Sequence, residues 1–538
     1  MPELLVGPML RFVGDGCATV WVETDGPCEV AVLDSTSRTF AVGGHHYAIV
    51  IVEGLGHRSE TPYEVHLDGD RVWPLDDSWP ASVIRTRGPR DAIRLAFGSC
   101  RVTAPLDDED SGVDALHALG VRMRGLPRSE WPDELLLVGD QVYADENISP
   151  QTTAFIASRR DTSDPDGPGT EVADLEEYAH LYREAWAELP IRWLLSTVPS
   201  AMIFDDHDVR DDWNTSGTWR RQMQELPWWQ GRIEAGLMSY WLYQHLGNLP
   251  PEELRTSELL ESLRGEEDGE PVLREYARKA DAEADGGGPT RWSYVRDLGG
   301  SRLVVLDSRC GRVVGGDRRE MLDEPEWAWL EENVAGDVDH LLLATSLPFL
   351  LPPGVHHIEA WDEAVTDGAW GGRFKDLGEK IRQGADLEHW AAFGTSFQRM
   401  VSLLAEIGSG AKGRAPATIT FLSGDVHFAY LAQARFPASA NVTSRVFQAV
   451  CSPIRNPLPP AVSLGQRAAW SRPVGALLRG LARTAGVASP DIGWGITGGP
   501  AFGNEIATLD LDGRSAVVTL ERSVEGPELE HSFSRLLS

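Results

Sequence analysis

ELLLVGDQVYAD, residues 134–145, is the stretch on which the reading of this chain turns. Leu135 to Val138 form an unbroken apolar run, the signature of a strand buried on both faces. Gly139 ends the run, Asp140 follows at once, and Tyr143 and Asp145 come shortly after. A carboxylate just past the carboxyl end of a buried strand sits where open α/β sheets place ligands. Buried alone it would be costly, so it requires a cation or several hydrogen-bond donors. Taken by itself, Asp140 reads equally well as the cap of the next turn.

Repetition decides between the two. An apolar run that ends in metal-ligand residue types recurs at LAFGSCR (95–101), MIFDDHDVRDDW (202–213) and TITFLSGDVHFAY (418–430). The four strand ends together carry Cys100, Asp140, Tyr143, Asp205, Asp206, His207, Asp425 and His427, the makings of a metal centre. In this order, FGSC, GDxxY, DDHD and GDVHF resemble the PhoD-like alkaline phosphatases, a family of binuclear metallophosphoesterases. LDSR (306–309) and the pair Trp361-Asp362 resemble weaker features of the same family.

The resemblance implies a role for each matching residue. Asp140 would bridge two metal ions, and Cys100 would bind the first as thiolate, although a small buried cysteine is also an ordinary core residue. Tyr143 would be a phenolate ligand, and because GDxxY is shared with purple acid phosphatases, it implies Fe3+. The alternative is a core tyrosine with a bonded hydroxyl. Asp206 stands where many metallophosphoesterases have Asn, and its charge favours a hard second cation such as Ca2+, with Mg2+, Mn2+ or Zn2+ as alternatives. Asp425 and His427 complete the metal set. On an extended segment their spacing puts both on one face. His207 is expected at the leaving-group oxygen with Asp208 orienting it. Arg309 is expected either to clamp phosphate or to form an ordinary ion pair. His356 and His357, in a Pro- and Gly-bounded stretch, are weaker candidates.

Composition narrows the class. With 82 acidic against 49 basic residues the chain carries a formal charge of −33. That balance disfavours a stable nucleic-acid complex or a protein lying on an anionic membrane. No apolar run reaches the roughly 20 residues of a membrane span. The start MPELLVGPMLRF lacks the pattern of a signal peptide, and five widely spaced cysteines without CxxC fit reduced thiols, so a cytoplasmic location is expected, although many PhoD-like phosphatases are exported.

Residues 1–88 read as a small all-β sandwich of immunoglobulin type, from ATVWVET, CEVAVLD, YAIVIVE and YEVHL. RTRGPRD (85–91) reads as a polar linker. From residue 89 to 538 strands alternate with helical stretches, an α/β (α+β) pattern, and the resemblance implies a four-layer metallophosphoesterase sandwich. Residues 149–170 read as a mobile loop, 175–195 as helix, and 250–289 as an acidic, helical, solvated insertion. An amphipathic helix is expected near 476–485, and two β segments at the end of the chain.

The expected function is metal-dependent hydrolysis of a small phosphate ester, monoester or diester, by a metal-activated hydroxide. A lipid-headgroup or nucleotide phosphodiesterase is the rival among enzymes. A metal-binding scaffold that has lost catalysis is the rival from another class. HExxH, GxSxG and GxxxxGK motifs do not occur.

Overall fold

The run that opens the argument is a strand, Glu134–Val138, and every residue of it is buried. A computed structural model describes residues 2–538 apart from 77, 106–107, 284–285, 287, 289 and 317, and apart from the side chains of 460 and 461. Glu134–Val138 lies between two parallel neighbours, Ile93–Gly98 and Ser200–Ile203. Glu505–Asp512, Ser515–Val524 and Glu528–Leu536 extend this sheet antiparallel to six strands. Two of these three were expected as closing β segments; the third, Glu528–Leu536, is too polar and exposed to show in the hydrophobic pattern.

A second sheet of seven strands has a parallel centre of Ser301–Leu306, His340–Thr345, Thr418–Ser423 and Arg445–Val450. Its strands alternate with period two between two cores. Leu303, Val305, Leu342, Ala344 and Leu422 share a core with the six-stranded sheet. Val304, Leu306, Leu341, Leu343, Ile419 and Phe421 pack on helices Glu324–Asn333 and Gly394–Ser409 through Trp327, Leu330, Phe397 and Leu404. The whole is a mixed α/β protein with several sheets.

Residues 4–73 form two four-stranded antiparallel sheets, and Glu60–Pro62 pairs with Val83–Arg85 in a separate ribbon. All four expected segments are strands here. This part is not loosely attached. Arg11 is fully buried and donates to the carbonyls of Ser200, Tyr243 (2.8 Å) and Gln244 (2.7 Å). Trp241–His245 is a π-helical turn inside a longer helix, a form that turns backbone carbonyls away from the α ladder. Gly247 leaves room for the guanidinium, since a Cβ there would stand 2.4 Å from it. Arg11→Met is expected to lower unfolding free energy by about 3 kcal/mol in a denaturant titration, because three buried acceptors lose their donor.

Several sequence expectations are corrected. The linker at 85–91 is tied down: Arg85 donates to the Arg128 carbonyl at 3.0 Å, Arg87 pairs with Asp133, and Asp91 with Arg58. The expected loop at 149–170 opens as helix Pro150–Arg159, with Ser149 capping Thr152 and Pro in the first turn. The expected helix at 175–195 is two, Leu175–Ala185 and Leu189–Thr197, divided where Pro190 must lie in a first turn. The acidic insertion is helical, as expected, but not a solvated excursion. Leu260, Leu263, Leu273 and Ala277 are buried, and Arg274 and Arg278 pair with Glu234 on helix Trp229–Tyr240. Part of its DGGGP end lies outside the described residues.

Candidate metal centre

The carboxyl ends of the parallel strands from both sheets meet at one place. Gly139 and Gly424 make the approach close enough. A Cβ on Gly139 would lie 2.6 Å from the Asp205 Cβ, and one on Gly424 would lie 1.9 Å from the Ser99 hydroxyl. Beyond each strand the backbone turns sharply: Cys100, Asp140, Asp425 and His427 all have φ between 50° and 67°. Such left-handed conformations cost non-glycine residues energy and cluster at functional sites.

Cys100 Sγ lies 3.3 Å from Asp140 Oδ2. Cys100, Asp140 and His427 present ligand atoms within 4.8 Å of one another, and so do Asp140, Asp205 and Asp206. Asp206, Glu388 and Asp425 form a third such group, and Asp206, His207 and Asp211 a fourth. Asp140 thus belongs to both the sulfur-containing group and the carboxylate group, the place expected of a bridge. The Tyr143 hydroxyl lies 3.4 Å from His427 Nε2 and accepts from Asn456 at 3.1 Å, while its ring stacks on His207 at 4.6 Å.

The electrostatics of these groups follow from their burial and crowding. Burial, reinforced by Asp140 and Asp425, pushes the Cys100 thiol well up. Burial and then Asp205 push Asp140 well up too, and Asp212 rises to about 10 for the same reasons, burial first and then Glu388. Asp140 Oδ1 and Asp205 Oδ2 are buried and have no hydrogen-bond partner among the described residues. Burial, helped by His207, takes His427 down to about 4, so at neutral pH its imidazole is uncharged and free to bind a cation. Crowded, partnerless carboxylate oxygens beside a thiol and a neutral imidazole fit metal ions.

Asp425 and His427 do not share an extended face. Both lie in the left-handed turn, so His427 joins Cys100 and Asp140 whereas Asp425 joins Asp206 and Glu388. Asp208 does not orient His207 either. It accepts the backbone N–H groups of Asp140 (3.0 Å) and Asp205 (2.9 Å), and the Gln244 side-chain amide. It therefore fixes two ligand-bearing turns, and through Gln244 links them to the π turn that Arg11 holds. The carboxylate on His207 is Asp145, 3.0 Å from Nδ1. Burial favours neutral His207, but the Asp145 ion pair outweighs it and raises the imidazole well above its ordinary range.

Arg309, expected to clamp phosphate or to form an ion pair, forms ion pairs in this structure. It is fully buried, pairs with Asp205, Glu388 and Asp206 (3.0 Å), and lies 3.6 Å from Asp425. Arg312 also pairs with Glu388 at 3.1 Å and His389 with Asp425 at 2.7 Å, so Arg309 is the main counter-charge to Asp205 and Asp206. His356 and His357 lie outside these groups: His356 packs tilted against Phe397 and edge-on to Trp494, and His357 accepts from Arg479.

Two residues escaped the sequence reading. Glu388 contributes to the carboxylate group. His389 bridges Glu359 and Asp425, each at 2.7 Å, so it fixes Asp425. Burial raises Asp425 but His389 and Arg309 prevail, bringing it to about 2. Neither follows a strand, so the pattern that revealed the other ligands was silent. Their only signal was an acid–histidine pair between apolar residues, LEHW (387–390).

The groups open into a cleft of about 360 Å³. Asp140, Asp206, His207, Glu388, Asp425 and His427 line it, and Leu351, Phe428, Leu458 and Val462 give it an apolar wall.

Residues 122–255 match a family model described as PhoD-like phosphatase, which bears out the resemblance read from the motifs. Residues 1–84 match a model described as a domain of unknown function, DUF7800. None of the curated proteins compared with the chain matches it. A solved structure described as "Structure of PhoD" superposes with a TM-score of 0.60 over 100% of this chain and 92% of that one, at 12% identity. A likeness at that identity is one of fold.

Proposed function

We propose that the protein is a metal-dependent phosphoric ester hydrolase of the PhoD-like type. It would be built as an immunoglobulin-like domain over residues 1–88 and a four-layer metallophosphoesterase sandwich over 89–538. The observation that carries the reading is Asp140, shared between two cation-sized ligand groups at converging strand ends. Cys100, Asp140 and His427, with Tyr143 beside them, would hold one cation. Asp140, Asp205 and Asp206, with Glu388 and Asp425, would hold the other. A thiol, a phenol and an imidazole suit iron, and an oxygen-only group suits Ca2+ or Mg2+. Two cations held there would supply the charge that activates water and offsets the negative charge of an in-line displacement at phosphorus.

The chain's own residues have separate tasks. Asp208 holds the Asp140 and Asp205 turns in place, and His389 holds Asp425. His207 borders the cleft, oriented by Asp145, and carries a proton it can give to the departing ester oxygen. The cleft admits a small phosphate ester whose organic part lies against the apolar wall.

Elemental analysis of the purified protein, run beside assays on a phosphate monoester and a diester, tests the reading. Expected are iron with a second divalent metal, and turnover that a chelator abolishes. Turnover unaffected by removing every metal would defeat it. In iron-loaded protein a phenolate or thiolate ligand gives a visible charge-transfer band, and Tyr143→Phe is expected to shift or remove it. A band unchanged by both Tyr143→Phe and Cys100→Ser assigns Tyr143 to the core instead.

A further inference from the structure

The formal charge of −33 hides a segment of the opposite sign. From Val426 to Pro490 the chain has no Asp or Glu and seven arginines. The later part of this segment is a helical hairpin, Pro460–Ala469 followed by Arg472–Thr484. Its inner side is anchored: Ala482 and Ala485 pack on Trp361 and Val365 of helix Pro353–Asp367, and the Thr484 carbonyl accepts from Trp370.

The outer side has two features that seldom occur together by accident. Arg467, Arg472, Arg479 and Arg483 are exposed, and among the described residues none is paired with a carboxylate; Arg467 lies over Phe502 and Arg479 donates to His357. On helix Arg472–Thr484 the arginines at 472, 479 and 483 are seven and four residues apart, which puts them on one side of the exposed arc. The exposed side of the hairpin also carries apolar side chains, and on helix Arg472–Thr484 Leu477 stands at the other edge of the exposed arc from the arginines. Leu464 is 70% exposed and Leu477 72%, the two most exposed large apolar residues described, and Val462 is 46% exposed. Val462 also lines the cleft with Leu458 and Gln466, so the hairpin borders the metal centre.

We propose that the outer face of the hairpin docks on an anionic lipid bilayer, with the arginines among the headgroups and Leu464 and Leu477 in the acyl boundary. Basic, amphipathic helices of low net hydropathy bind such interfaces through both terms at once. Each arginine near the surface gains from its negative potential. The acidic remainder of the chain is screened wherever it stands more than about 8 Å away at physiological salt. A nucleic acid would use the arginines but leave the leucines in water, so the combination favours lipid.

Vesicle flotation of the metal-loaded full chain, without free divalent cations, tests this independently of any ester assay. The protein is expected to float with vesicles of phosphatidylglycerol and phosphatidylcholine, but not with phosphatidylcholine alone, and less at high salt. Arg472→Glu with Arg483→Glu should weaken partitioning by at least about thirtyfold. Leu464→Asp with Leu477→Asp should weaken it too. Both pairs should keep the wild-type circular dichroism spectrum and melting temperature. No flotation with anionic vesicles overturns the proposal, as does equal flotation by the charge-reversed pair. A dimer in sedimentation that Leu464→Asp with Leu477→Asp dissolves, without vesicle binding, assigns the face to a second copy. Duplex binding without vesicle binding assigns it to nucleic acid.

Discussion

Asp140→Asn should abolish phosphatase turnover and strip metal from the protein while leaving the metal-free fold intact or firmer. Asp140 is the one residue placed in both the Cys100–His427 group and the Asp205–Asp206 group, so its loss touches both proposed cations. Removing a partner that merely orients a metal ligand costs about 10–100-fold, and a shared ligand should cost more. A fall in kcat/KM beyond about 100-fold is therefore expected, with metal content lowered in elemental analysis. The substitution keeps the backbone N–H bond to Asp208 and removes a carboxylate that burial and Asp205 already disfavour. In chelator the variant should melt no lower than the wild type. Full activity with normal metal content would remove Asp140 from the centre and with it the proposed pair. A chelated variant that melts far lower would mean that Asp140 serves the fold instead.

Most of the frame was legible because a buried parallel strand leaves an unmistakable trace. LLLV, LAF, MIF and TITFL are too apolar to face water, and whatever follows them is forced to the sheet's carboxyl edge. That geometry brings Cys100, Asp140, Asp205, Asp206, Asp425 and His427 together. What stayed hidden is what is not set by strand ends. Glu388 and His389 reach the centre from a short connection between two helices, and only tertiary packing puts them there. Asp208 and Asp145 were exchanged because proximity in sequence says little across a sharp turn. Asp208 is next to His207 in the chain yet bonds to backbone N–H groups, whereas Asp145 arrives from another strand end. Asp425 and His427 were placed on one face by assuming extended backbone, and their positive φ sends them apart. A net charge is a sum, and a sum does not show that residues 426–490 carry seven arginines and no Asp or Glu.

Arg309→Met should destabilise the metal-free protein by about 3–5 kcal/mol, among the largest effects available to one substitution here. The side chain is wholly buried, and its guanidinium is the counter-charge to Asp205, Asp206, Glu388 and, at longer range, Asp425. Methionine fills much of the volume but leaves those carboxylates facing one another in a low dielectric. Arg312 stays on Glu388 at 3.1 Å, so the collapse should be partial and centred on Asp205 and Asp206. A divalent cation bound there would take over the missing charge. Calcium or magnesium should therefore raise the melting temperature of Arg309→Met more than that of the wild type, since only the variant lacks the Arg309 charge beside Asp205 and Asp206. A phosphate clamp would behave otherwise. Its removal would leave the melting temperature alone and raise KM, because Arg would then touch substrate and not the fold. Melting curves with chelator and with calcium, read beside KM for a monoester, separate the two. An unchanged melting temperature in chelator would return Arg309 to the substrate and leave the four carboxylates to the metal alone.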